Sequence, residues 1–385
     1  MKPREDQKEL LELLQNLVAA RTVNPPGDEQ IGAAVLKDFL GGHGLEVQTD
    51  EVEKGRPNLI CTVGRGTKRS ILFDSHLDVV SPGDPKAWRR DPFKPYVEDG
   101  KVVGRGACDA KASLAAMAAA MVRLASEEER FDGRVTFAAV MGEEITGAGS
   151  RHIAEQGIAA DAVVVGEPTH LRVMTGQKGR VGLKLTVPGR AAHASQPQEA
   201  VNPIPRAGEV IRALEPFCRE IRERRHPLLG TSSLVFTILR AGDRQNVIPD
   251  HAALEMDYRV VPPWTHEQLV VELRERLGEI SKQLGYEIRL EHEVLSMTAF
   301  TPSDERIVQT ALEIVPEYGV HQNDPEGFTA CCDMHFFRAI GIPAIILGPG
   351  GIEQAHTVDE FVELDEVFRA AQIYRAIALR FLNPE

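Results

Sequence analysis

The chain opens on a helical period. Leu10, Leu13, Leu14, Leu17 and Val18 recur on one face between Glu9 and Ala20, and Asn24-Pro25-Pro26-Gly27 ends the run. Beyond it the apolar residues come in short blocks. Asn58 to Val63, Ile71 to Phe73, Val135 to Val140, Ala162 to Val165 and Ile342 to Leu347 read as strands buried on both faces, and Lys111 to Glu128 reads as an alanine-rich helix among them. Buried strands interleaved with helices predict an α/β domain on a mostly parallel sheet.

Between 178 and 294 the period changes to two. Val181, Leu183, Leu185 and Val187 alternate with polar residues, as do Leu254, Met256, Tyr258 and Val260. The spacing predicts strand 180–187, helix 203–224, strands 232–240 and 252–261, helix 265–284 and strand 286–293. That order, β-α-β-β-α-β, is ferredoxin-like. It interrupts the α/β pattern, so a discontinuous domain (1–177 with 295–385) carrying an inserted domain (178–294) is expected. The insert offers sheet edges and helices for pairing with a second copy, which makes a homodimer the expected assembly.

At 385 residues the chain has room for about two or three domains of roughly 150 residues. With 43% hydrophobic and 26% charged residues, disordered and fibrous classes are set aside. The formal charge of -13 repels polyanions, so nucleic acid is excluded as a partner. The longest apolar stretches, such as Leu114 to Val122, fall far short of the roughly 20 residues that cross a bilayer. Lys2, Pro3, Arg4, Glu5 and Asp6 follow Met1 without an apolar leader, and a cytoplasmic protein is expected. The five cysteines (Cys61, Cys108, Cys218, Cys331, Cys332) are odd in number and lack C-x-x-C spacing, which argues for reduced thiols and against a disulfide framework or zinc ribbon. Arg219, Arg222, Arg224 and Arg225 alternate with Glu220 and Glu223, the pattern of a solvated helix face.

Chemistry gathers where the apolar strands stop. Ser75-His76-Leu77-Asp78 follows one, Gly142-Glu143-Glu144 another and Gly166-Glu167-Pro168 a third; a fourth runs through Gly348-Pro349-Gly350-Gly351 to His356. In an open α/β sheet, ligands bind beyond the carboxyl ends of the strands, so these endings point to one cleft. Asp109 adds an acid just before the alanine-rich helix. Singly, each has a plain structural reading: Asp109 as a helix cap, the histidines as solvent-facing, Glu143-Glu144 as surface charge. Together, two histidines, three carboxylates and a spare carboxylate are the inventory of a two-metal hydrolytic site. Imidazole with carboxylate suits zinc, with cobalt or manganese as alternatives, whereas calcium wants more oxygens. The motifs H-E-x-x-H, G-x-S-x-G and G-x-x-x-x-G-K-[ST] are absent, and Gly104-x-Gly106 lacks the third glycine of a dinucleotide fingerprint.

Several ordered motifs resemble one family nearly end to end. They are Ser75-His76-Leu77-Asp78-Val79-Val80, Trp88 with Asp91-Pro92-Phe93, Gly104-Arg105-Gly106-Ala107-Cys108-Asp109-Ala110-Lys111, Gly142-Glu143-Glu144, Gly166-Glu167-Pro168-Thr169, Ala192-His193-Ala194-Ser195 and Ala355-His356. The chain is similar to the dinuclear-zinc amidohydrolases and exopeptidases that include acetylornithine deacetylase, succinyl-diaminopimelate desuccinylase, aminoacylase and glutamate carboxypeptidase.

The resemblance implies two divalent cations per subunit, His76 and Glu167 holding one, Glu144 and His356 the other, and Asp109 bridging them. It also implies that Asp78 steadies the His76 ring, that Glu143 is the general base and that His193 donates a hydrogen bond to the developing oxyanion, from the partner subunit in dimeric members. Asn246 and Arg259 match positions that look like contacts to a substrate carboxylate, which an arginine grips with two parallel hydrogen bonds; the backbone of Gly348-Pro349-Gly350-Gly351, at Gly350 among them, offers N–H donors to the same carboxylate or forms a plain turn before His356. The expected substrate is a small N-acyl amino acid or related molecule.

Departures bear on the branch. Ala110 and Ala112 flank Lys111 where the family often has Met and Gly. Phe328-Thr329-Ala330-Cys331-Cys332-Asp333-Met334 lacks the arginine of the corresponding desuccinylase segment. Gly166-Glu167-Pro168-Thr169 and the stretch from Gly348 to His356 look most like acetylornithine deacetylase, with desuccinylase, dipeptidase or carboxypeptidase activity as the alternative and a non-catalytic binding relative as the competing class. Glu at 167 is unlike the aminopeptidase branches, which more often have Asp there.

Overall fold

The computed structural model describes residues 5–383, and the chain divides into two compact units, 1–176 with 300–385 and 177–299. Met1 to Arg4, on which part of the leader reading rests, lie outside the described residues.

The first unit is a mixed α/β sheet with a parallel centre. In spatial order that centre is Arg134–Val140, Ser70–His76, Ala162–Val165 and Ala344–Ile346. Arg56–Val63 and Val47–Glu53 extend it antiparallel on one side, and Met174–Gln177 on the other. Every residue of Ser70–His76 is buried, as a strand covered on both faces must be. Because the four central strands run the same way, the segments that follow His76, Val140, Val165 and Ile346 all emerge at one edge of the sheet. This common direction gathers the chemistry.

The helices Glu5–Ala19, Lys111–Ala125 and Leu364–Leu382 share one core with the sheet. Leu14, Leu17 and Val18 are wholly buried in it, and at ~25 cal/mol per Å² such side chains each contribute roughly 1.5–3 kcal/mol. The alanine-rich helix stops at Ala125, short of the expected Glu128, and Glu128–Arg130 forms a tight 3₁₀ turn. A small antiparallel sheet of Tyr96–Glu98, Lys101–Val103 and Phe361–Glu363 ties a late segment of the chain to an early one.

The second unit has the strand order Ser233–Arg240, His251–Val260, Gly179–Pro188, Arg289–Ser296, all neighbours antiparallel. With the helices Pro203–Arg222 and His266–Leu284 its chain order is β-α-β-β-α-β. The inward residues of the alternating strands and the apolar stripes of both helices form one core. Thr265 caps the second helix through a reciprocal capping box with Gln268, and Gly285 ends it at φ 79. The last strand starts at Arg289 rather than 286, because Ile288 turns into the core with its N–H on Ser281 Oγ. Among the described residues no helix is long and apolar enough to cross a membrane, and all five cysteines are free thiols.

Candidate metal centre

His76 ends the central strand and is almost fully buried. Its Nε2 lies 3.1 Å from Asp109 Oδ1 and 3.8 Å from Glu167 Oε1. The second histidine, His356, has its Nε2 3.3 Å from Asp109 Oδ2 and 3.1 Å from Glu144 Oε2. Asp109 therefore turns one oxygen to each histidine, and each histidine has a further carboxylate beside it. His76, Asp109 and Glu144 offer ligand atoms within 4.8 Å of one another, and so do His76, Glu143 and Glu167. Asp109 is not the cap of the following helix: that position is Ala110, with no side-chain cap bond.

The His76 ring is held from behind. Its Nδ1 lies 2.9 Å from the Asp78 backbone oxygen, closer than the 3.6 Å to Asp78 Oδ1, so the main chain takes the ring contact that the sequence assigns to the carboxylate. The Asp78 carboxylate is engaged elsewhere. It accepts Asn24 Nδ2 at 2.8 Å and the backbone N–H groups of Glu143 and Glu144 at 3.1 and 3.2 Å. Burial would push this carboxyl up, but the nearby His76 ring and the bonds from Asn24 and the Glu144 N–H outweigh it and hold it below its ordinary value.

Electrostatically, the cluster is built for cations. Burial, reinforced by neighbouring carboxylates, pushes Glu143 and Glu167 well above the usual carboxylate range, and burial also raises Glu144. His356 is raised to about 10 by its contacts to Asp109 and Glu144. At His76 burial is outweighed by Asp109 and Asp78, and its value too is raised. Two imidazoles cannot balance Asp78, Asp109, Glu143, Glu144 and Glu167, whereas two divalent cations with neutral imidazoles come close. The donor set, two ring nitrogens and several carboxylates around a shared one, fits zinc or a similar ion.

Other expected residues have different surroundings. Gly350, at φ 78, donates its N–H to Glu366 Oε2 at 2.6 Å, so this amide already has a partner within the chain. His193 and Asn246 meet in the second unit: Ala192–His193 pairs with Val247–Ile248, and the Ala194 N–H reaches the Asn246 oxygen at 2.9 Å. Arg259 Nε donates to Asp257 Oδ1 at 2.8 Å, and Arg180 Nε donates to the other oxygen at 2.8 Å.

Sequence reasoning missed three groups. Asn24 bonds Asp78, as described. Glu360 is fully buried and receives Arg105 and three backbone N–H groups of the loop before Asp109. Asp74 and Asp333, both buried, share the hydroxyl of Ser150, with contacts of 3.1 Å and 2.7 Å. The one sequence signal was that Asp74 and Asp333 are acids within apolar surroundings, where an unpartnered charge is costly.

The model of peptidase family M20/M25/M40 matches residues 72–380. The chain belongs to this family. As a member of it, the protein is a metallohydrolase of amide bonds. It is 30% identical to succinyl-diaminopimelate desuccinylase 2 of a Ruegeria species over 97% of this chain and 95% of that relative. Among solved structures it is similar to aminopeptidase PepT from Bacillus cereus (TM-score 0.79, 22% identity, 98% of this chain and 99% of that one). It is also similar to a dinuclear metal-binding M20 peptidase from Bacillus subtilis (TM-score 0.73, 18% identity, 98% of each chain). These two likenesses concern the M20 fold. The name of the Ruegeria relative sides with the desuccinylase alternative rather than with acetylornithine deacetylase.

Proposed function

We propose that this protein removes an acyl group from an N-acyl amino acid, with an N-succinyl group favoured over N-acetyl. The observation that carries the reaction class is the Asp109 carboxylate, with Oδ1 beside His76 and Oδ2 beside His356. His76 and Glu167 would hold one cation, His356 and Glu144 the other, and Asp109 both. Zinc fits this donor set best, with cobalt or manganese as substitutes. Bound there, such ions acidify a water and polarise a carbonyl.

Glu143 supplies what the ligands cannot. Its carboxylate, raised above the ordinary range by burial and by the neighbouring carboxylates, takes a proton from the attacking water and returns it to the leaving amine. Asp78 keeps it in place through the Glu143 N–H. His193 is the proposed donor to the developing oxyanion, with Asn246 and Arg259 as contacts to a substrate carboxylate. The name of the Ruegeria relative supports the succinyl reading. Met334, where desuccinylases resemble Arg, favours the acetyl reading.

A homodimer formed through the second unit, in the reducing cytoplasm that suits five free cysteines, completes the proposal. The test is a panel of N-succinyl, N-acetyl and N-formyl amino acids and dipeptides, assayed for amine release. Fastest turnover on an N-succinyl substrate is expected; fastest turnover on dipeptides would overturn the deacylase reading.

A further inference from the structure

Glu360 lies outside the ligand set and four positions after His356, yet it organises the loop that presents Asp109. Its side chain is fully buried. Oε2 accepts Arg105 Nη1 at 2.5 Å and the Gly106 N–H at 3.1 Å; Oε1 accepts the Cys108 N–H at 2.8 Å and the Asp109 N–H at 3.0 Å. The Glu360 backbone oxygen also accepts the Gly104 N–H at 2.9 Å. The loop from Gly104 to Asp109 is thus wrapped around one carboxylate, with two donors on each oxygen.

This wrapping is tight. Gly106 sits at φ 82, and a Cβ there would lie 2.5 Å from Val79 Cγ1, so the backbone conformation and the space both require glycine. Arg105 is buried, balances the Glu360 charge and lies over the Trp88 ring at 5.1 Å. The strand Phe361–Glu363, paired with Lys101–Val103, anchors Glu360 on the other side. One residue therefore joins the backbone of Asp109 to the chain segment that carries His356, and Asp109 Oδ2 lies 3.3 Å from His356 Nε2.

We infer that Glu360 is a positioning residue that sets the bridging carboxylate of Asp109 against His356, and so fixes the spacing of the two cation sites. A ligand shared by two ions tolerates little displacement, because moving it spoils both sites together. Glu360→Gln replaces one acceptor by an NH₂ group that would face N–H or guanidinium donors. Glu360→Asp keeps the charge on a stem one methylene shorter, which cannot reach all four donors. The inference rests on the reading of Asp109 as a ligand of both ions.

The experiment is titration of the metal-free protein with cobalt chloride, followed by its visible absorption, with circular dichroism as a check on folding. Glu360→Gln is expected to fold, to bind cobalt about 10–100-fold more weakly and to give an altered absorption band. Glu127→Gln breaks the ion pair with Arg375 beyond the far end of the helix Lys111–Ala125, about 20 Å along its axis, and is expected to titrate as the wild type does. Wild-type affinity and absorption in Glu360→Gln would overturn the inference. Should that variant not fold, the same result in Glu360→Asp would overturn it. Asp109→Asn separates the two levels: wild-type cobalt binding there sinks the shared-ligand reading itself, whereas loss there with no change in the Glu360 variants sinks only the role of Glu360.

Discussion

The carboxylate of Asp78 accepts the backbone N–H of Glu143 at 3.1 Å. Two residues beyond His76, it joins the end of the central strand to the segment that carries Glu143 and Glu144. Its second oxygen takes the Glu144 N–H and Asn24. Replacing Asp78 by Asn would turn a donor toward these donors and leave a buried N–H unpaired, at a cost of about 1–3 kcal/mol. Asp78→Asn is expected to lower turnover by about 10–100-fold through displacement of Glu143. Steady-state kinetics check this, and unchanged turnover would mean that the Asp78 bonds do not position the base.

Glu143→Gln keeps the shape of the side chain and removes its basicity. Turnover is expected to fall by about 10²–10⁴-fold while both cations stay bound, since Glu143 is not assigned as a ligand. Metal analysis beside the rate measurement separates the outcomes. Loss of a cation in this variant would make Glu143 a ligand, and wild-type turnover would remove it from the mechanism.

His170 clamps the loop that leads to His356. Its Nε2 lies 2.7 Å from Glu353 Oε1 and its Nδ1 3.3 Å from Glu366 Oε1, while Glu366 also accepts the Gly350 N–H. Burial would lower the pKa of His170, but the bonds to Glu353 and Glu366 outweigh it and raise it from 6.5. A raised histidine stabilises the fold fully below its unfolded value and loses that contribution as pH rises through the folded one. Glu353, lowered from 4.5 against burial by backbone and His170 hydrogen bonds, loses its contribution as pH falls through its folded value. The stability lost in His170→Gln should be largest between about pH 5 and 6.5 and should shrink toward alkaline pH. Denaturant unfolding across that range checks it; a difference that grows with pH would contradict the clamp.

Much of this was legible in the sequence because it is local or periodic. The all-apolar runs found the central strands, and the acids and histidines just beyond them found the ligand candidates. The alternating stretch from Val181 to Val187 found the second unit. What escaped was set by contacts distant in sequence. Glu360 reads as one acid in an ordinary acidic stretch, and only the pairing of Phe361–Glu363 with Lys101–Val103 brings it to Arg105. Asn24 reads as part of a turn, and its bond to Asp78 depends on how the loop after the first helix lies along the end of the sheet. The glycines after Ile346 read equally as donors to a ligand or as a plain turn, and only the fold brings Glu366 to the N–H of Gly350.

The proposed chemistry is amide hydrolysis driven by two cations around Asp109. Its most direct test is the rate of amine release from an N-succinyl amino acid as zinc is returned to the chelated protein. The expected rate is negligible without metal, rises with added zinc and levels off near about two ions per chain. A rate that is unaffected by chelation, or that saturates well below one ion per chain, would contradict it.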